Sequence, residues 1–290
     1  MKKYMVYILM ISMLLLCGCK SNENTVSNVE NERIVIDANA QEVKMSFRNS
    51  NDNISTIAKE IATDKFSTIE KYTKNNIENG NFNILGVEYQ NIDYYTSEKN
   101  KYRETDENIF KNDDVKISVS SEGKIVFCRV KKAIKKFENE TTHSEELAKK
   151  YLELIYPNYD YNGVQIQEIQ VTDQYVYTFY KTINEIRTSD AITIFLNSKG
   201  EFTCYSIHDV DKFDNIQLEN FNYNDFLQRI DEYVNKAYKD MIIDYSVHED
   251  GPIFNVFEGN NIELNIPIVV NVNNNDGEFC IIEEVVFELN

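Results

Sequence analysis

Three segments of the chain share one pattern, and that pattern limits the fold more than any other feature of the sequence. They are Asp114–Val130 (DVKISVSSEGKIVFCRV), Asp190–Ile207 (DAITIFLNSKGEFTCYSI) and Ile266–Ile282 (IPIVVNVNNNDGEFCII). Each alternates apolar residues at period two, passes through Ser- or Asn-rich residues to a glycine, and resumes as a second apolar strand. Period two sends one row of side chains into a core, and a glycine accepts the positive φ of a tight turn. Each segment therefore predicts a β-hairpin. The hairpin-turn glycines Gly123, Gly200 and Gly277 fall 77 residues apart. Val115, Ile117 and Val119 correspond to Ile192, Ile194 and Leu196, and Ile268, Val270 and Val272 follow if the third turn carries one extra residue. Equal spacing points to three repeated structural units.

A helix candidate precedes each hairpin. Asn53 to Asn76 carries Ile54, Ile57, Ala58, Ile61, Ala62, Phe66, Ile69 and Tyr72 as an apolar stripe at three- and four-residue spacing. Thr142 and Glu145 form a capping box ahead of Leu147, Ala148, Tyr151, Leu152 and Ile155, and Tyr156-Pro157 stops that helix. Asn222 caps a third, with Phe226, Ile230, Tyr233 and Ala237 on one face. Between helix and hairpin lie strand-like runs: Phe82–Tyr95, Val164–Val171 with Tyr175–Thr182, and Met241–Val247 with Ile253–Phe257. The expected fold class is α+β, in tandem units of one helix packed on a roughly four-stranded antiparallel sheet. Packing buries the single apolar face of each layer.

The first twenty residues carry a targeting pattern. Met1-Lys2-Lys3 is basic, and Tyr4–Leu16 is apolar except for Ser12, too short for a comfortable membrane span. The run ends in Leu16-Cys17-Gly18-Cys19-Lys20. This resembles the lipobox of bacterial lipoproteins, in which Leu16, Cys17 and Gly18 precede the modified cysteine. The resemblance implies cleavage after Gly18 and a lipid, palmitate among its acyl chains, on Cys19. The chain would then be anchored in the cell membrane on the extracytoplasmic face. The alternative is an uncleaved N-terminal anchor whose two cysteines are incidental. Lys20–Asn31 (KSNENTVSNVEN) is polar and aperiodic, the composition of a tether. The expected organisation is a signal peptide over 1–18, lipidated Cys19 and tether over 19–45, and α+β units over 46–140, 141–217 and 218–290.

The middle unit has a further likeness. Its Tyr175–Ile186 strand, polar link and Asp190–Glu201 hairpin resemble the PepSY-like units of extracytoplasmic bacterial proteins and peptidase propeptides. The best match spans about Ser144–Ile207; the first and third units match through the hairpin only. That resemblance implies non-catalytic modules with an inhibitory or regulatory binding role, and it transfers no catalytic residue.

With 30 basic and 48 acidic side chains the formal charge is −18. Losing Lys2 and Lys3 with a signal peptide makes the mature chain two charges more acidic. Such an excess rules against a nucleic-acid partner and against docking by charge to anionic lipid. His143, His208 and His248 are scattered, and no His-Glu-x-x-His, Gly-x-Ser-x-Gly or phosphate-binding glycine loop is present. Asp209, Asp211 and Asp214, beside His208 and Asn215, are the densest set of oxygen ligands, the kind a hard cation takes. An extended segment would point Asp209 and Asp211 the same way. A solvated acidic connector is the preferred reading of that stretch, and no metal or cofactor is expected. Asn273–Gly277 reads as a hairpin turn, because Val272 stands where a calcium loop needs its first Asp. Cys128, Cys204 and Cys280 fall five, four and three residues past their glycines, which puts Cys204 on the opposite face from the other two. They read as buried small apolar residues, with one bridge between two of them as the alternative. Tyr175, Tyr177 and Phe179, with Tyr89, Tyr94, Tyr95 and Tyr102, read as core packing rather than an exposed stacking surface.

The function expected is therefore a non-catalytic, lipid-anchored binding or regulatory protein. It would hold the membrane through Cys19 and meet a protein or peptide partner through its sheets and their edge strands. The runner-up is a solute-binding lipoprotein of a transporter, against which the lack of alternating βαβ patterns counts. An extracytoplasmic hydrolase is a third reading.

Overall fold

A computed structural model describes residues 33–49, 80–99, 106–121, 123–169, 172–257, 261–274 and 277–289. The lipobox, the Lys20–Asn31 tether and the Asn53–Asn76 helix all lie outside those residues. Of the described chain, 59% is strand and 14% helix. Seventeen strands appear: β1 (Ile34–Asp37), β2 (Lys44–Asn49), β3 (Gly80–Ile84), β4 (Val87–Ile92), β5 (Tyr94–Lys99), β6 (Asp106–Lys111), β7 (Val115–Ser120), β8 (Ile125–Ile134), β9 (Gly163–Ile169), β10 (Gln174–Ile183), β11 (Ile186–Asn197), β12 (Phe202–His208), β13 (Ile216–Glu219), β14 (Ile242–Val247), β15 (Ile253–Phe257), β16 (Asn261–Asn274) and β17 (Gly277–Leu289). Among the described residues two α-helices accompany them, α1 (Glu145–Ile155) between β8 and β9 and α2 (Tyr223–Tyr238) between β13 and β14.

The tandem helix-on-sheet units expected from sequence are not what forms. Thirteen strands join in one sheet, in the order β2-β17-β16-β15-β11-β12-β8-β7-β6-β5, with β14 also pairing β16, β10 also pairing β11, and β9 pairing β10. The expected boundaries at 140/141 and 217/218 are bridged by pairing, β12 on β8 and β11 on β15. The reason is physical. A strand at the edge of a small sheet leaves its outer N–H and C=O groups without a ladder, and lateral joining satisfies them. Residues 34–45, expected in the tether, are also folded. They supply β1, which pairs with β13, and the start of β2, and they bury Ile36, Ala38, Ala40 and Val43.

Local elements follow local chemistry. The N-cap of α1 is Ser144, whose hydroxyl accepts from Leu147 N–H, two residues past the Thr142 expected. Leu147, Ala148, Tyr151 and Leu152 pack on Tyr177, Phe179, Ile192, Ile194 and Phe202. The cap of α2 is Asn222, as the spacing predicts, and Phe226, Ile230 and Val234 enter a second core with Leu264, Ile266 and Phe287. Pro267 divides the partner strands of β16. Its carbonyl accepts from His248 N–H, so its nitrogen, which has no hydrogen, faces that same side. β15 pairs with β16 up to Asn265, and β14 takes over from Ile268.

The hairpin glycines behave as the turns require, with φ of +80° at Gly123, +73° at Gly200 and +120° at Gly277. Gly277 is itself the first residue of β17, paired with Asn274. The β10–β11 turn places Asn184 and Glu185 both at positive φ, the form a two-residue hairpin takes.

Candidate functional site

The sheet is narrowest where β11 meets β15, in parallel, through Arg187 with Ile253 and Thr188 with Phe254. Directly after that joint stands Asp190. It is in phase with Ile192, Ile194 and Leu196, whose side chains enter the α1 core, and its own side chain is 0% exposed. A carboxylate in a row of core residues needs partners, and three segments converge to supply them. From the link between α1 and β9, Tyr159 donates its hydroxyl to Asp190 Oδ1 at 2.7 Å. From β10, Lys181 Nζ lies 3.4 Å from Asp190 Oδ2. From the β12–β13 connector, the Asp211 N–H donates to the same oxygen at 3.1 Å.

The connector holds the three aspartates singled out from sequence, and the fold does bring them beside Asp190. They do not point the same way along an extended segment, since Asp209 and Asp211 both have positive φ within a turn. Asp209 accepts from Ser189 Oγ at 2.6 Å and pairs with Lys212 at 2.8 Å. Asp211 accepts from the Tyr156 hydroxyl at 2.8 Å, and Asp214 is paired with Lys181. Each carboxylate is thus turned to its own protein donor, and no group of three acidic, histidine or cysteine side chains among the described residues is arranged to hold a metal.

Burial raises the Asp190 carboxyl to about 6, against the pull of Tyr159, Lys181 and the Asp211 N–H toward a lower value. Burial would lower Lys181, but its bond to Asp214 and the charge of Asp190 outweigh that and hold the ammonium above its ordinary value. Tyr156 is pushed up to about 12 by burial and then by Asp211. Tyr159 rises for the same first reason, with Asp190 beside it. The phenols therefore act as donors only. The group is a polar lock on three chain segments, and it gives a substrate no access to the Asp190 carboxyl.

The histidines serve elsewhere. His143 stacks on Tyr175 at 3.3 Å between ring centroids, and its Nδ1 is 2.7 Å from the Tyr177 hydroxyl. His248 Nδ1 lies 3.2 Å from Asp250. His208 Nε2 is 2.9 Å from Ser206 Oγ, the spacing of a nucleophile and its base. Ser206, however, is 2% exposed within the sheet, so its hydroxyl does not face a substrate. Cys128 and Cys204 are buried, in separate clusters on opposite faces of the sheet as their parity predicts, while Cys280 is exposed rather than buried. Burial pushes the Cys128 thiol up to about 12, which makes it inert.

Sequence reading missed Asp190, Lys181 and Tyr159. One signal was there: Asp190 occupies a core-phase position in an otherwise apolar row. Compared with protein-family models, curated proteins and solved structures, the chain matches none of them.

Proposed function

We propose that the chain is a non-catalytic, lipid-anchored extracytoplasmic binding or regulatory protein. The observation that carries the non-catalytic reading is the closure of the Asp190 network. Among the described residues it is a place, as is Glu284 beside Glu263, where carboxylates converge on one with a raised pKa, as a hydrolase would need. Yet its oxygens are satisfied from within, and its central side chain is 0% exposed. The anchor rests on Leu16-Cys17-Gly18-Cys19, and the regulatory character is supported by the likeness of Ser144–Ile207 to PepSY-like modules.

Metabolic labelling with palmitate, followed by crosslinking in the same membranes, tests the proposal. The chain takes up label and sediments with membranes, Cys19→Ser loses both, and the crosslinked product contains a second protein. Label retained by Cys19→Ser removes the anchor, and a product holding a bound metabolite in place of a protein removes the binding-partner reading.

A further inference from the structure

Most outer strands of the large sheet are defended against pairing, and β9 is not. β2 carries Lys44 and Arg48, paired with Glu288 and Glu263. The ladder of β14 breaks register between Ile242 and Asp244, and that of β5 between Tyr94 and Thr96. Charges and bulges of this kind keep an edge from adding a strand. β9 pairs with β10 in seven unbroken register pairs, from Gly163 with Tyr180 to Ile169 with Gln174. Its sequence, GVQIQEI, holds no Lys, Arg or Pro. Among the described residues no strand lies along its other edge, where alternate residues turn N–H and C=O outward.

The side chains around this edge define what fits it. On the α1 face stand Val164, packed on the core beside Tyr161 and Phe179, then Ile166, which is 51% exposed, then Glu168. On the other face stand Gln165, held by Arg187 at 2.6 Å, and Gln167. Apart from Arg187, which is held on Gln165 with its guanidinium over the Tyr180 ring, the charges near the edge are acidic. Glu168 accepts from the Tyr175 hydroxyl, and Asp173, in the turn to β10, accepts from Ser198. Glu145 and Glu146 at the start of α1 reinforce the rise that burial imposes on the Tyr177 hydroxyl, in the strand next to β9. The nearby cations are engaged, Lys149 with Glu145 at 2.6 Å and Lys181 in the Asp190 network.

From the open edge, the exposed Ile166 and the acidic rim, we infer that β9 is a strand-addition site for an extended basic peptide segment of a partner protein. The peptide continues the sheet through main-chain hydrogen bonds, lays an apolar side chain against Ile166, and sets Lys or Arg beside Glu168 and Asp173. This rests on the binding-protein reading and names its partner class.

Hydrogen exchange of the intact chain in detergent, with the peptide (Lys-Val)4 and its acidic counterpart (Glu-Val)4, tests the site. The basic peptide slows exchange across Gly163–Ile169 saturably, and the acidic one does not. Ile166→Lys and Glu168→Lys, both at exposed positions, weaken the basic peptide at least tenfold, while Ile243→Lys on β14 leaves it unchanged. Equal binding of both peptides, no protection at β9, or protection that survives both β9 variants overturns the proposal. Dimerisation through β9 without peptide would overturn it in favour of a second copy of the chain. In each of those cases a crosslinked partner that maps to another surface leaves the binding-protein reading standing.

Discussion

Gly123 and Gly200 have nearly the same φ, +80° and +73°, but different surroundings. A Cβ at Gly123 meets nothing within 4 Å, whereas one at Gly200 comes within 2.6 Å of both Leu147 Cδ2 and the Thr142 carbonyl oxygen. Gly123→Ala therefore costs about 1–2 kcal/mol, the left-handed penalty alone. Gly200→Ala adds overpacking against α1, for a total of about 3 kcal/mol or more; urea midpoints of the two variants measure the difference. Glu185, at φ +65°, predicts the reverse, since Glu185→Gly relieves about 1 kcal/mol. Asp190 predicts a pH dependence. Its folded pKa of about 6 lies above the unfolded value near 3.8. Between those limits the native state holds a proton that the unfolded state has lost, so stability from this group grows as pH falls from 7 to 4. Asp190→Asn cannot titrate, while Tyr156, Tyr159, Lys181, Asp211 and Asp214 are common to both proteins. Wild-type stability measured relative to the variant should rise by on the order of 2 kcal/mol over that range. A flat difference would contradict the assignment.

At the scale of elements, what was legible was what is local. The three hairpins announced themselves because alternation and turn glycines are encoded within some 17 residues, and α2 because Asn222 precedes its apolar stripe. The cap of α1 was misplaced because Thr142 and Ser144 are both good caps, and only the backbone path decides which hydroxyl reaches an amide. Ser144→Ala should cost about 1 kcal/mol by losing the bond to Leu147 N–H. Thr142→Ala, whose side chain makes no such bond, should cost less, and thermal denaturation of the pair distinguishes them. β1 and β2 were illegible for the opposite reason. Strands of four and six residues are too short to stand alone and gain their stability from β13 and β17, far along the chain.

For the whole molecule, the lateral joining of strands was not legible at all. Period two reports which face of a strand is buried, but nothing in it names the neighbour across each edge. The same gap hid the Asp190 site, whose partners Tyr159, Lys181 and Asp211 are drawn from three segments. Only Asp209, Asp211 and Asp214, clustered in sequence, could be singled out beforehand, and the fold turns each of them to a donor of the chain itself. The Asp190 carboxyl is wholly buried, and among the described residues β9 is an outer strand whose ladder runs without a break. The most direct measurement is site-specific photocrosslinking from position 166 of the intact chain in the cells that make it, with position 243 on β14 as reference. The account predicts an adduct from position 166 that maps to an extended, Lys- or Arg-containing segment of one partner protein and is lost with Glu168→Lys. Equal adducts from both positions, or none from position 166, would contradict it.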